Sequence, residues 1–363
     1  MNKFMCRKCG KVWYYDVKKC ASCGSDVAEE TPSEFEVIGS TEVLVSSPGN
    51  EAPYNVILLK DDSGNLHLKK VHEKHRIGSG YRESQEKIQR KKIGIVGTGV
   101  MGIGIAEVAL QSGHSVILKS RSSEALGKAR SEITKRVLKS SSEEQKNEIM
   151  NNLTTTTRFE DLGGADIVIE SVVEDVDSKR RVFQELDKNC RRAVLASNSS
   201  SLSIDELASF TSKPQNVIGI HFFNPVPRMS LVEIVVGSRT SDETMCIAQE
   251  FSRSLGKNPV AVKNSPGFVV NRLLFAYLNE AAKALEEGVA KQEDIDKAIE
   301  LGLNYPMGPF KLMDLIGLDV CLMIMDNLHE KFGDSYKPSE VIRQKVERGE
   351  LGRKTGRGFY SYV

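Results

Sequence analysis

From Ile93 onward, short apolar runs alternate with longer stretches whose apolar residues recur at helical spacing. Ile93 to Val96, Ser115 to Lys119, Ile167 to Glu170, Val194 to Ser197, Val217 to Phe222, Val232 to Val236 and Val260 to Val262 read as strands. One helix runs from the first strand to Ser112, and a long helical stretch follows the second to about Lys146. Alternation of this kind predicts an α/β domain, a Rossmann-type doubly wound sheet over residues 90–264. Beyond Ser265 the strand pattern stops. Val270, Leu273, Leu274, Tyr277, Leu278, Ala281, Ala282 and Leu285 mark one helix face, with Ser265 and Pro266 as N-cap and first position and Gly288 as the stop. Residues 265–363 therefore read as an all-α C-terminal domain.

The first 86 residues follow a different pattern. Cys6-x2-Cys9 and Cys20-x2-Cys23, each followed by glycine, make two knuckles over residues 1–28. A tight turn lets thiolates three residues apart converge, so the four cysteines fit a tetrahedral metal site with no position open for substrate. The metal is structural, with zinc favoured over iron on general frequency, although the knuckles are also similar to those of rubredoxin. Phe35 to Ile38, Val43 to Ser46, Tyr54 to Leu59 and Leu66 to Val71 then suggest a small β-barrel over 32–86, with a hairpin turn at Asp61 to Gly64. His67, His72 and His75 read as solvated or turn histidines rather than a metal cluster. Glu83 to Arg90 is a polar linker.

Composition narrows the function classes. A chain of 363 residues is long enough for several domains, and its net charge of +1 offers no reason to expect a polyanionic partner. Barrels of this size also bind nucleic acid, but this one has mixed charge and few interleaved aromatics. No apolar stretch reaches the roughly 18 residues of a membrane span, and the N-terminus lacks a secretion signal, so a cytoplasmic location is expected. Of the seven cysteines, Cys190, Cys246 and Cys321 stand alone in predicted helices and read as inert packing residues.

Chemistry first enters at Gly97-Thr98-Gly99-Val100-Met101-Gly102, a G-x-G-x-x-G pattern between a strand and an amphipathic helix. In that context Gly97 permits the tight turn, Gly99 admits the pyrophosphate of a dinucleotide, and Gly102 lets helix and strand pack. NAD-binding versions end their second strand in an acidic residue, about 20 positions on, which holds the adenosine ribose. Here the strand ends in Lys119-Ser120-Arg121. A serine hydroxyl flanked by two cations suits a 2′-phosphate, so the residues favour NADP(H) over NAD(H); the alternative is a relaxed NAD site with solvated Lys119 and Arg121.

Several segments resemble the 3-hydroxyacyl-CoA dehydrogenase family: GTGVMGIGIA, ADIVIESVVEDVDSK, ASNSSSLSI, HFFNPVPRMSLVEIV, NSPGFVVNRLL, NYPMGPFKLMDLIGLD and GRKTGRGFY. The resemblance implies that His221 exchanges a proton with the substrate 3-hydroxyl, with Glu233 orienting it. It places Ser200 and Asn271 at the substrate oxygen or thioester carbonyl and Asn224 near the nicotinamide. Glu174 and Lys179 match cofactor contacts, and Lys354 another from the C-terminal tail; each could instead be an ordinary surface charge. Ser120 departs from the family's usual aspartate. The implied reaction is oxidation of a 3-hydroxyacyl-CoA to the 3-oxoacyl-CoA, with (S) stereochemistry, short chains of the 3-hydroxybutyryl-CoA kind, and a homodimer; the resemblance assigns substrate binding and dimerisation to residues 265–363. The N-terminal segments resemble the zinc-ribbon/OB-fold family associated with acyl-CoA enzymes, which suggests contact with a thiolase or another acyl-CoA enzyme.

Overall fold

The computed structural model describes residues 3–6, 8, 12–13, 19, 23, 25, 27–30, 35–43, 54–61, 66–71, 74–81, 90–138, 147 and 149–362. The chain divides into two compact units, Met1–Gln89 and Arg90–Val363.

In the first unit β1 (Lys3–Cys6) is the middle of an antiparallel three-stranded sheet, between β2 (Val12–Trp13) and β3 (Val27–Glu30). Cys9, Cys20 and the side chain of Cys6 lie outside the described residues, and with them the proposed four-cysteine site. A second antiparallel sheet has β6 (Leu66–Val71), β5 (Tyr54–Asp61), β4 (Phe35–Val43) and β7 (Gly80–Tyr81) in that order. The run expected at Phe35 to Ile38 extends to Val43, residues 44–46 of the next expected run lying outside the described residues: β4 passes through Gly39, with an irregularity between Val37 and Gly39 that lets one strand pair along most of β5. Phe35, Val37, Ile57, Leu59 and Tyr81 make a small core. His67 is not solvated but buried edge-on to Phe35, and His75 lies against Tyr81; His72 is outside the described residues.

The second unit begins with β8 (Lys92–Val96), α1 (Val100–Gln111), β9 (Ser115–Lys119), α2 (Ser123–Leu138), β10 (Leu153–Thr156) and β11 (Ile167–Glu170). It continues with α3 (Val176–Asn189), β12 (Val194–Ser197), α4 (Ile204–Ser209), β13 (Val217–Phe222), β14 (Leu231–Val236), α5 (Asp242–Ser254) and β15 (Asn258–Lys263). These strands form one eight-stranded sheet in the order β10-β9-β8-β11-β12-β13-β14-β15. All neighbours are parallel except β13 and β14. The first six have the strand order of a dinucleotide-binding fold.

Period-two alternation fills both faces. Ile93, Ile95, Ile167 and Ile169 belong to the core shared with α1, α2 and α5, whereas Val96, Val168 and Leu195 join Phe183, Leu186 and Leu207 of α3 and α4 on the other side. The edge strand β10 escaped the sequence reading because Leu-Thr-Thr-Thr is short and nearly without apolar residues. Of the long helical stretch expected between β9 and about Lys146, α2 accounts for Ser123–Leu138, and residues 139–146 lie outside the described ones.

The rest is helical: α6 (Val270–Glu286), α7 (Gln292–Gly302), α8 (Pro309–Ile316), α9 (Leu318–Phe332) and α10 (Glu340–Glu347). Their core includes Phe275, Leu278, Phe310, Met313, Cys321 and Met325. Helix α6 stops where expected: Gly288 adopts φ +71°, and the N–H of Val289 donates to Ala284 O at 3.0 Å. Its start differs. Ser265 and Pro266 precede a turn, and the helix begins at Val270. Cys190 and Cys321 are buried, and burial raises their thiols to about 11 and about 12 respectively. Cys246, by contrast, is exposed and is not a packing residue. No helix among the described residues is long and apolar enough to cross a membrane.

Candidate functional site

The order of the sheet reverses between β8 and β11, and a crevice opens there beyond the carboxyl ends of the strands. It is a cavity of about 900 Å³, lined from Val96 to Met101 at one end and by Asn271, Leu274, Phe275, Ile316 and Ile324 at the other. Steric demands explain the glycines. Gly97 has φ +124°, and a Cβ there would fall 2.2 Å from the Ser171 carbonyl oxygen. A Cβ on Gly102 would fall 2.2 Å from Gly97 O, so Gly102 packs behind the loop, while Gly99 faces open space. Helices α3, α4 and α5 have their first-turn N–H groups capped by Asp175, Ser203 and Ser241. Helix α1 has Gly99 at its N-cap and no side-chain cap. Its first turn lines the cavity, and Gly97, Thr98, Gly99, Val100 and Met101 make a cradle that fits the pyrophosphate of a dinucleotide.

At the end of β9, Lys119, Ser120 and Arg121 all line the cavity, joined by Phe159 and Arg181. Ser120 Oγ lies 3.4 Å from Thr98 Oγ1, and Arg121 is exposed. Lys119 is not solvated: its ammonium sits 3.6 Å from the centroid of the Phe159 ring. Burial, followed by repulsion from Arg121, lowers its pKa.

His221 and Glu233 face each other in register across the antiparallel pair β13–β14. His221 Nδ1 is 2.8 Å from Glu233 Oε2, and both side chains are buried. The other carboxylate oxygen, Oε1, accepts from Val269 N at 3.1 Å and Val270 N at 2.9 Å. Glu233 is thus the N-terminal cap of α6, which is why that helix starts at Val270 and not at Pro266. The intervening turn has positive φ at Gly267 and Phe268, and the Phe268 ring lies 5.5 Å from that of His221, which also has Phe223 at 4.6 Å. Burial pushes the Glu233 carboxyl up, but the bonds from His221, Val270 and Val269 outweigh it and hold the group below the usual carboxylate range. An ionised carboxylate only accepts, so Nδ1 carries a proton and Nε2 is the nitrogen with a free lone pair.

Ser200, in the turn after β12, Asn271, in the first turn of α6, and Asn224, just past β13, line the same cavity as His221. Glu174 and Lys179 line it too, but Lys179 is no surface charge. It is 1% exposed, with Nζ 2.7 Å from Glu170 Oε1 and 3.1 Å from Glu174 Oε2. Burial raises the Glu174 carboxyl, but Lys179, Ser199 and Ser201 more than offset this and lower it. Lys354 does not reach the cavity; it pairs with Asp319 at the start of α9. Sequence reasoning passed over Glu170, although a carboxylate closing an otherwise apolar strand was a signal that it is buried with a partner.

A family model described as 3-hydroxyacyl-CoA dehydrogenase, NAD binding domain, matches residues 92–265, and one described as the C-terminal domain of the same family matches residues 267–362. The chain is 46% identical over 278 residues to the 3-hydroxybutyryl-CoA dehydrogenase of Clostridioides difficile, covering 75% of this chain and 99% of that one. It is 43% identical over 282 residues to the 3-hydroxybutyryl-CoA dehydrogenase of Bradyrhizobium diazoefficiens, covering 75% and 95%. Among solved structures, the (S)-3-hydroxybutyryl-CoA dehydrogenase of Ralstonia eutropha superposes with a TM-score of 0.74 at 41% identity, covering 76% of this chain and all of that one. With both domains matched in order, the chain belongs to the 3-hydroxyacyl-CoA dehydrogenase family of nicotinamide-dependent oxidoreductases.

Proposed function

We propose that the protein interconverts short-chain (S)-3-hydroxyacyl-CoA and 3-oxoacyl-CoA, with 3-hydroxybutyryl-CoA and acetoacetyl-CoA as the representative pair. The observation that carries this reading is the buried His221–Glu233 pair, whose histidine opens into the same cavity as the glycine cradle. Bound there, the nicotinamide supplies the hydride acceptor or donor. His221 Nε2 takes the proton of the 3-hydroxyl during oxidation and returns it during reduction, while Glu233 stabilises the imidazolium that forms. Ser200 and Asn271 donate to the substrate oxygens, as neutral groups suited to charge that develops and disappears. Asn224 would hold the nicotinamide, and Glu174 and Lys179 order this half of the site. The apolar wall of Leu274, Phe275, Ile316 and Ile324 offers room for a short acyl chain. The test is to follow nicotinamide absorbance with acetoacetyl-CoA and with free acetoacetate. CoA-dependent turnover is expected; equal rates with the free acid would favour a hydroxyacid dehydrogenase instead.

NADP(H) is the proposed cofactor, and reduction is then the expected direction. Ser120 and Arg121, without a carboxylate at the end of β9, support this. One observation favours NAD(H): Lys119 stacks on Phe159 and leaves fewer cations free for a 2′-phosphate. Exposed Leu273, Leu301, Leu303 and Met323 in the helical domain support a homodimer, to be checked by light scattering. For the N-terminal unit we keep the reading of a structural zinc ribbon (iron as the lesser alternative) at Cys6, Cys9, Cys20 and Cys23. An OB-like barrel follows it, and together they dock a thiolase or another acyl-CoA enzyme. The expected setting is the cytoplasm.

A further inference from the structure

Glu170 closes β11 with its carboxylate completely buried, beside an ammonium that is buried as well. Its acceptors are taken up within the protein. Lys179 Nζ lies 2.7 Å from Oε1 and 2.9 Å from Oε2, Val172 N donates to Oε1 at 2.7 Å, and Ser197 Oγ donates to Oε2 at 2.8 Å. Glu170 is absent from the cavity wall. Replacing a buried ion pair by apolar groups is often neutral or stabilising, so stability alone is a weak reason for this one.

What the pair holds in place is more informative. An ammonium has three donors, and those of Lys179 meet the two oxygens of Glu170 and Oε2 of Glu174. Pinned by that contact, Glu174 turns Oε1 to the turn after β12. There it accepts from Ser200 N at 2.9 Å, Ser201 N at 3.0 Å, Ser201 Oγ at 2.9 Å and Ser199 Oγ. A second strut reaches the same turn from the other side: Ser197 Oγ, held by Glu170, accepts from Ser199 N at 3.1 Å. Both struts start at Glu170 and end on the segment that carries Ser200 into the cavity.

We infer that Glu170 is a positioning residue for the reaction, setting the Ser199–Ser201 turn, and with it Ser200, through Lys179 and Glu174 on one side and Ser197 on the other. The inference rests on the proposed function only for the role of Ser200; the geometry of the turn is independent of it. Glu170 thus controls substrate handling without touching substrate, and Glu174 and Lys179 serve the turn before they serve the cofactor.

Two measurements test this on the full-length protein. The first is amide hydrogen exchange over residues 198–202, compared with β13. Glu170→Gln should speed exchange at Ser200 and Ser201 by about tenfold or more, since Lys179 and Ser197 lose the charged acceptor that holds both struts, while β13 stays protected. Unchanged exchange at Ser200 and Ser201, or equal loss of protection throughout the sheet, would overturn the inference. The second is a double-mutant cycle on kcat/KM for acetoacetyl-CoA. Glu170→Gln alone should lower it by about ten- to a hundredfold, yet have little further effect in a Ser200→Ala background. Full additivity, or a defect confined to the KM of the nicotinamide cofactor, would refute a route through Ser200. Should Glu170→Gln leave Lys179 too poorly paired to fold, Glu170→Gln/Lys179→Met removes both charges, and Ser197→Ala removes one strut with the ion pair intact; both should show the same local loss. A wild-type protein inactive on acetoacetyl-CoA would refute the proposed function, and the exchange measurement would still decide this one.

Discussion

His221 and Glu233 are twelve residues apart in sequence but directly opposite across two strands, so one residue type change can separate their roles. His221→Gln should lower kcat by about a hundredfold or more with cofactor affinity little changed, because loss of a general base typically costs about 10² to 10⁴. Near wild-type turnover in that variant would remove the base from the mechanism. Glu233→Gln keeps an oxygen for the N–H groups of Val269 and Val270 but loses the negative charge beside the imidazole. The imidazolium that forms during oxidation is then left without its counter-charge, and kcat should fall by about tenfold or more. A kcat equal to the wild type would show that the carboxylate only orients the ring. At the other end of the cavity, NADPH should exceed NADH in kcat/KM by about ten- to a hundredfold, the worth of one or two charge-assisted contacts to the 2′-phosphate. Ser120→Asp with Arg121→Ala should reverse that order, since a carboxylate repels phosphate and accepts from a free ribose. Equal use of both cofactors by the wild type would leave Arg121 a solvated charge and Lys119 a partner of Phe159 alone.

Elements in this molecule are joined at buried polar contacts that lie between them. Asp296 accepts from Phe310 N at 2.8 Å and Lys311 N at 3.2 Å at the start of α8, and from Tyr360 OH at 2.8 Å. Asp314 of that helix accepts from Phe359 N and Tyr360 N, both at 2.8 Å. These bonds pull the C-terminal segment in so closely that a Cβ on Gly352 would fall 2.3 Å from Asp314 O, which gives the glycines of GRKTGRGFY a packing role. His114 joins other elements. It lies fully buried just before β9, accepts from Lys91 N through Nδ1 at 3.1 Å, and has Nε2 2.8 Å from Ser254 Oγ, just inside the end of α5. Burial, then repulsion from Lys91, lowers its pKa from the ordinary 6.5. A histidine held neutral contributes stability above its unfolded pKa and loses it as protons bind the unfolded chain first. The melting temperature should therefore drop as pH falls below about 6.5. His114→Asn, which cannot take up that proton, should flatten the slope; an identical slope in the variant would assign the acid sensitivity elsewhere.

At the scale of the whole molecule, the two units can be separated by experiment. A truncated chain beginning at Lys87 should still reduce acetoacetyl-CoA, because every described residue lining the cavity lies beyond Arg90. If the four thiolates hold zinc, chelation should change the fluorescence of Trp13, the chain's one tryptophan, while turnover persists. A well-folded but inactive truncation would show that the N-terminal unit completes the site. The parts of this molecule legible in advance were those encoded by neighbours along the chain. Apolar runs specified β8, β9, β11, β12 and β13, since a strand buried on both faces must be apolar throughout. Helical spacing specified α6, and the glycine pattern specified its own turn, because a Cβ at Gly97 or Gly102 has no room. Strand β10 was not legible, because its threonines show a place at the sheet edge only once β9 is beside them. The same holds for the start of α6, set by a carboxylate on β14, and for Lys119 on Phe159 and Lys179 on Glu170. A lysine such as Lys119 or Lys179 reads in sequence like a solvated one. Only the fold, by removing water and supplying a partner from a distant segment, decided which of these charges hold the site together.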